Sequence, residues 1–513
     1  MKKKSRMQYS LINSSVSATI YVFNILIKFI SRSVFIYFLG AEYLGLNGLF
    51  TNILSMLSLA ELGIGTSIVY SLYSPIAKGD ESKINSLMHL YKKIYTFIGL
   101  AIGMLGIMLV PLLPYMIGDA RYIKNIYVIY FLFLLNSVSS YFFTYNRSLL
   151  IADQKSYIPV IYDFLCNCFV TIFQFISLYF YQNYMIFLCI QILGTITANV
   201  LLTFKVKKYY PYLRKSKSYS LDNETKETLK RNTIGNLSSK IGSVVVSGTD
   251  NIFISSFVGI STVGIYSNYI LIVNSIRGLC GQITNSITSS IGNVAVDKDD
   301  HLSIKVFERH NFVNFTLTYY SSIILIATIN PFIDFWVGQK YKLSPITVFF
   351  IILNFVILMM RNSSIVFIEA FGLAWQQRWK SVIEAVLNIV FSFFFLLVFK
   401  LGINGVLFAT TISSLMTVCW IEPYVVYKYG LHSSIYNYIK IISKQLVTLA
   451  IAATIIFFVI TGRFSSNLIG ILLYATTSFL VGTIIYLLVY FKSPELRFFY
   501  VTLINIVRKK LIK

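Results

Sequence analysis

The chain has 513 residues, of which 56% are hydrophobic and only 12% are charged, and its mean hydropathy is +0.70. These values exclude an ordinary soluble globular protein and indicate a polytopic membrane protein. The net charge of +24 does not indicate nucleic-acid binding, because basic residues spread over many short loops are what the positive-inside rule produces in a bacterial inner-membrane protein.

The first apolar stretch, from Leu11 to Leu39, contains two cations far from its ends. Asn24, Lys28 and Arg32 follow each other at four-residue spacing, which places them on one face of a helix. A cation at this depth costs about 2.5–3.5 kcal/mol on insertion scales, so it normally faces a watery, protein-lined cavity. The stripe therefore predicts a negatively charged cargo.

Apolar runs of roughly 20 residues or more predict about fourteen membrane-spanning helices in an all-α integral membrane protein. The predicted spans lie near 10–39, 44–72, 92–117, 122–150, 158–180, 184–205, 232–258, 262–291, 311–337, 345–370, 379–399, 402–427, 438–461 and 467–491.

The distribution of basic residues predicts the orientation. With the amino terminus in the cytoplasm, about 32 of the 44 Lys and Arg residues fall on the cytoplasmic side and about 6 on the opposite side. Both termini are therefore predicted to be cytoplasmic. The predicted outer loops are short, which argues against an enzyme with an extracytoplasmic catalytic domain.

An internal repeat divides the chain. Segment 38–46 recurs as segment 257–265, at an offset of about 219 residues, and its Gly40 and Gly45 match Gly259 and Gly264. The halves have the same membrane orientation, which predicts two six-helix bundles related by a pseudo-twofold axis along the membrane normal.

The predicted domains follow from this repeat and from the longest polar segment. Residues 1–206 form an amino-terminal six-helix bundle, 207–231 a cytoplasmic linker, and 232–430 a second six-helix bundle. Residues 431–513 are predicted to hold two extra helices and a basic tail.

The eighth span carries a second polar stripe that includes Asn274 and Arg277. If Arg277 faces the space between the halves, its guanidinium can hold two phosphate oxygens. The alternative is that Arg277 pairs with an acid such as Asp250 as a structural contact.

Arg147, Lys240 and Arg361 are predicted near cytoplasmic ends of spans. Their side chains can reach the membrane interface at little cost, which is the structural interpretation. If they instead face inward, they form an entrance that attracts an anionic head group.

Glu61 and Asp250 are carboxylates within spans. Such a group serves either as a proton or sodium coupling site or as the counter-ion of a neighbouring cation. The sequence predicts neither a cofactor nor a metal site, because it contains no phosphate-binding loop of the ATPase type and no metal-ligand spacing.

The segment from Arg32 to Phe50, continued by Leu59 to Gly65, resembles Wzx-type polysaccharide flippases, and so does the segment from Ala370 to Leu373. This resemblance implies the MATE-like fold of the wider exporter superfamily. It implies a flippase that moves undecaprenyl-diphosphate-linked oligosaccharide from the cytoplasmic to the outer leaflet for capsule or other surface polysaccharide, with polysaccharide polymerase and assembly proteins as partners.

The resemblance also implies that Lys28, Arg32 and Arg277 contact the diphosphate, and Asn24 and Asn274 on the same polar stripes are further candidates for the substrate site. Alternating access would be coupled to H⁺ or Na⁺. Two alternatives stay open: a cation-coupled multidrug exporter of the MATE type, which would need a mainly acidic cavity, and an integral-membrane glycan polymerase or glycosyltransferase.

Overall fold

The computed structural model describes residues 6–58, 64–118, 123–214, 248–297, 300–373 and 375–498. Glu61 and Lys240 lie outside these ranges, so their roles stay predictions. The described residues form helices joined by turns and short connections, and none of them is in a strand. The predicted all-α fold is confirmed.

The helices are numbered here in chain order. Their bounds are α1 Arg6–Leu57, α2 Ile64–Lys78, α3 Glu81–Met108, α4 Leu113–Ile117, α5 Ile126–Ala152, α6 Tyr157–Tyr181, α7 Tyr184–Tyr209, α8 248–257, α9 Ile260–Asp297, α10 Asp300–Val337, α11 Pro345–Met360, α12 Asn362–Ala370, α13 Lys380–Leu397, α14 Ile403–Met416, α15 Val418–Val425, α16 Ile435–Val459 and α17 Leu468–Tyr490.

Within the described ranges, eleven helices are long and apolar enough to cross a membrane. The protein is therefore a multi-pass integral membrane protein. The first of these candidates, Ser15–Leu57, covers the predicted first span and much of the predicted second.

Helix α1 is broken at Gly40, whose φ of 83° and ψ of −177° are not helical. A residue with a side chain is strained at such a φ, whereas glycine adopts it readily. The break falls in the gap between the predicted first and second spans, so one long helix contains two segments that run in different directions.

The chain divides into two compact units, Met1–Ser267 and Asn268–Lys513. In the first unit, α5 packs against α2, α3 and α7, and α6 packs against α1 and α7. The amide of Asn13 secures the start of α1, because it donates to the carbonyl of Gln154 and accepts from the backbone N–H of Tyr157.

Helix α1 also touches the start of α9 within the first unit, and this contact follows the sequence repeat. A Cβ at Gly45 would lie 2.1 Å from the carbonyl oxygen of Ile260, and a Cβ at Gly264 would lie 2.1 Å from that of Ala41. Ala41 and Ile260 are equivalent in the repeat, as are Gly45 and Gly264. The contact between the two repeated segments is therefore reciprocal.

In the second unit, α10 packs against α11, α16 and α17, and α14 packs against α11 and α13. Helix α17 approaches α10 closely at a glycine, since the hydroxyl of Tyr319 donates to the carbonyl of Gly482 at 2.8 Å. Small residues permit this approach between membrane helices. Helices α16 and α17 thus both pack on α10.

The division between the units falls inside α9. Helix α7 continues to Tyr209 and is followed by a short 3-10 turn, Pro211–Arg214. The predicted linker therefore begins within the last turn of α7, and its remainder from 215 onward lies outside the described residues. The domain boundaries stay a prediction.

Candidate functional site

The polar stripe of α1 lies on a regular part of that helix. From Asn24 to Arg32 the helix advances about 12 Å along its axis, at 1.5 Å per residue. The side chains of Asn24 and Arg32 are partly buried, and that of Lys28 is exposed. The three side chains thus follow one another along one face of α1.

Arg32, at the carboxyl-terminal end of this stripe, is held by a contact with α9. One guanidinium nitrogen donates to the hydroxyl of Ser267 at 2.7 Å, and that hydroxyl donates to the carbonyl of Gly264 at 2.7 Å. A guanidinium has five N–H donors. In the described part of the chain, Ser267 is the one hydrogen-bond partner of this side chain, so further donors are available to an anion.

Lys28 forms neither a hydrogen bond nor an ion pair with any residue in the described ranges. Asn24 is backed by α6, since the amide of Asn167 lies 3.5 Å from its side-chain oxygen. The stripe therefore carries two cations that no described carboxylate neutralises, and such cations favour an anionic ligand.

Asn274 and Arg277 lie on α9 in the second unit, and both side chains are exposed. No described residue of that unit forms a hydrogen bond or an ion pair with Arg277. That these residues form one binding site with the α1 stripe stays a prediction.

Arg147 lies in an ion pair in the first unit. Its guanidinium contacts both carboxylate oxygens of Asp163, one of them at 2.7 Å, and one nitrogen also donates to the side-chain oxygen of Asn199 at 3.1 Å. These partners tie α5 to α6 and α7. Arg147, which the sequence predicts as a possible entrance cation, therefore already has a counter-ion in Asp163.

Arg361, which is partly buried, belongs to a cluster of four charges in the second unit with the buried Lys380, Glu384 and Glu422. Its guanidinium donates to both oxygens of Glu422 at 2.7 and 3.0 Å and lies 3.6 Å from Glu384. The ammonium group of Lys380 also contacts Glu422, and the hydroxyl of Ser414 donates to Glu384 at 2.7 Å.

This charge cluster sits where two helices are interrupted. Arg361 separates α11 from α12, and Thr417, with φ −122° and ψ −85°, separates α14 from α15. Two cations and two carboxylates sum to no net charge. Because the desolvated charges compensate one another, the cluster is expected to hold these helix segments together, and removal of one member would leave an unpaired buried charge.

Asp250 is 7% exposed on α8. Near it in sequence, the side-chain oxygens of Asn251 and Ser255 are buried without a hydrogen-bond partner among the described atoms. Buried polar oxygens normally have a partner. The role of Asp250 as a proton or sodium coupling site, or as the counter-ion of a neighbouring cation, stays a prediction. No group of three or more metal-ligating side chains occurs within the described ranges.

Sequence reasoning missed Ser267, Asn167 and Lys380 as partners in these sites. Glu384 and Glu422 pair with Arg361 although they lie 23 and 61 residues away from it along the chain. No local spacing signals such contacts, because they form only when separate helices pack.

Neither a family model nor a curated protein sequence matches the chain. Solved structures do resemble it. The lipid II flippase MurJ in an inward closed conformation aligns with 94% of this chain and 99% of its own, with a TM-score of 0.63 at 18% identity.

Two MATE transporters resemble the chain at 12% identity. An inward-facing MATE family transporter of the MOP superfamily aligns with 82% of this chain and 99% of its own, with a TM-score of 0.60. The Vibrio cholerae MATE transporter VcmN aligns with 83% and 99%, with a TM-score of 0.57. The chain has the fold of these transporters. At such identities the likeness establishes the fold and not the cargo.

Proposed function

We propose that this protein is a flippase that moves undecaprenyl-diphosphate-linked oligosaccharide across a bacterial cytoplasmic membrane by alternating access, for capsule or other surface polysaccharide. The observation that carries the proposal is the α1 stripe, where Lys28 and Arg32 have no carboxylate partner in the described part of the chain. A diphosphate needs such cations, and arginine offers it several donors at once.

In this proposal the diphosphate binds Lys28, Arg32 and Arg277, with Asn24 and Asn274 contributing hydrogen bonds. The glycan occupies an aqueous cavity and the polyprenyl chain stays in lipid. The fold supports this view, because a protein of the same fold is a lipid II flippase. Asp250 or Glu61 couples transport to H⁺ or Na⁺, both termini lie in the cytoplasm, and the chain works beside a polysaccharide polymerase.

The alternative is a multidrug exporter, which the fold of the MATE transporters also accommodates. A cationic drug needs carboxylates in its binding site, whereas the α1 stripe is basic. The charge of this helix favours an anionic cargo over a cationic one.

The test measures transport of a fluorescent undecaprenyl-diphosphate oligosaccharide in vesicles that contain the purified protein. Lys28→Gln, Arg32→Gln and Arg277→Gln each remove one cation. A hydrogen bond to a charged group contributes about 1.5–3 kcal/mol, so each variant should lose about tenfold or more in transport. Arg32→Lys should retain part of the activity, since it keeps the charge.

Arg378→Gln is the matched control, because its guanidinium stacks on Trp375 at 4.0 Å from the ring centroid and lies outside the proposed site. It should transport like the unmodified protein. Normal transport by the double variant Lys28→Gln/Arg32→Gln would refute the assignment of these residues. Export of a cationic dye in the same vesicles, without oligosaccharide transport, would favour the multidrug exporter instead.

A further inference from the structure

Two asparagines meet between α1 and α6 in the first unit, one helical turn from Lys28. The side-chain amide nitrogen of Asn167 lies 3.5 Å from the side-chain oxygen of Asn24. Lys28 follows Asn24 by four residues, which is about 6 Å along the axis of α1 at 1.5 Å per residue. The amide pair is therefore a neutral continuation of the basic stripe.

Helix α6 has two exposed faces of opposite character. Its large exposed apolar side chains recur at intervals of three and four residues and cover one face, which is formed by Leu165, Phe169, Ile172, Phe173 and Ile176. Asn167, near the middle of this helix, is also exposed. At 3.6 residues per turn it lies on the opposite face. The apolar face suits contact with lipid, so Asn167 points away from the lipid.

Helix α1 repeats this arrangement. Its exposed apolar side chains cover one face, which is formed by Val22, Phe23, Leu26 and Ile30. The exposed Lys28 lies on the opposite face, and Asn24 is its neighbour there. Polar side chains that are exposed within a membrane helix, but turned away from lipid, normally border a water-filled cavity. The two helices thus place Lys28 and both amides on such a border.

The amide pair has hydrogen-bonding capacity that the protein leaves unused. An asparagine side chain offers two N–H donors and one oxygen acceptor. Within the described ranges, the contact between Asn24 and Asn167 is the one hydrogen bond that either side chain forms, and 3.5 Å is long for such a bond. The exposed Thr197 on α7 differs, because its hydroxyl donates to the carbonyl of Leu193 in its own helix at 2.7 Å.

We propose that Asn24 and Asn167 bind the first sugar of the cargo, the one attached directly to the diphosphate. This inference rests on the proposed function, in which Lys28 binds the diphosphate. A sugar hydroxyl donates and accepts hydrogen bonds, and a carboxamide can answer both, whereas an ammonium group only donates. The step of one helical turn from Lys28 to Asn24 is comparable to the length of one sugar residue. Asn167 is thereby a specificity-determining residue.

The test measures the binding of two lipids to the purified full-length protein in detergent: undecaprenyl diphosphate with one attached glucose, and undecaprenyl diphosphate alone. Asn167→Leu should raise the dissociation constant of the glucose-bearing lipid about two- to tenfold, as expected for one lost hydrogen bond. It should leave the dissociation constant of the sugar-free lipid unchanged. Lys28→Gln should weaken binding of both lipids to the same extent, because both carry the diphosphate.

Thr197→Val is the matched control. It also removes an exposed polar group from a membrane helix of the first unit, but that hydroxyl is bonded within its own helix. This variant should bind both lipids like the unmodified protein. Leucine is favourable in a membrane helix, so Asn167→Leu is expected to keep α6 intact. Asn24→Ala tests the same sugar from the other helix and should show the same selective loss.

The outcomes separate this inference from the proposed function. A loss confined to the glucose-bearing lipid in Asn167→Leu and Asn24→Ala supports the sugar site. Equal weakening of both lipids by Asn167→Leu, equal affinity of the unmodified protein for both lipids, or equal behaviour of Asn167→Leu and Thr197→Val would overturn the inference and leave the proposed function intact. Binding of neither lipid, or no effect of Lys28→Gln, would refute the proposed function and the inference with it.

Discussion

The reciprocal glycine contact between α1 and α9 leads to a prediction about the smallest possible substitution, glycine to alanine. A Cβ at Gly264 would lie 2.1 Å from the carbonyl oxygen of Ala41, and a Cβ at Gly45 would lie 2.1 Å from that of Ile260. Ordinary van der Waals contact begins at 3.4 Å. Each alanine would therefore need a separation of about 1.3 Å between rigid backbones, the difference of these two distances.

Overpacking of this kind typically costs about 1–3 kcal/mol. Without the contact, the same substitution would stabilise the helix by about 1 kcal/mol, because alanine has the higher helix propensity. Gly45→Ala and Gly264→Ala should thus lower the free energy of unfolding in detergent by similar amounts. Gly48→Ala is the control, since its Cβ would lie 3.5 Å from Val263 and should be neutral or stabilising.

A second readout reports on the contact itself. Cysteine introduced at Ala41 should react with a maleimide about 5- to 150-fold faster in the Gly264→Ala background, if the cost of 1–3 kcal/mol appears as separation of the two helices. The reasoning is wrong if Gly264→Ala matches Gly48→Ala in both stability and labelling, or if only one member of the glycine pair is sensitive to substitution.

Two further predictions concern the second unit. Glu422→Gln should lower the free energy of unfolding by about 3–5 kcal/mol, because it leaves Arg361 and Lys380 without their shared carboxylate. The control Asp334→Asn removes the partly exposed ion pair with Lys342 and should cost about 1 kcal/mol or less. Equal melting midpoints of the two variants in a thermal-shift assay would contradict a compensated cluster. Gly482→Leu should lower the free energy of unfolding by about 1–3 kcal/mol through overpacking against Ile323, whose Cδ1 lies 2.1 Å from the position of the added Cβ. An unchanged melting midpoint in the same assay would show that α17 can move away from α10 without cost.

The sequence alone predicted the fold class, because membrane helices must satisfy their backbone hydrogen bonds internally and must therefore appear as long apolar runs. The break between the first two spans was also visible, since Gly40 lies between two apolar segments and glycine tolerates its positive φ. The repeat identified Gly45 and Gly264 as equivalent positions from their spacing.

The tertiary structure decided which charges are paired. Arg32, Arg147 and Arg361 look alike in the sequence, as arginines inside apolar spans, but Arg32 donates to a hydroxyl whereas the other two meet carboxylates. The difference arises because counter-ions come from helices that are distant along the chain. A local pattern places a cation on a helix face, and only helix packing determines what that face meets.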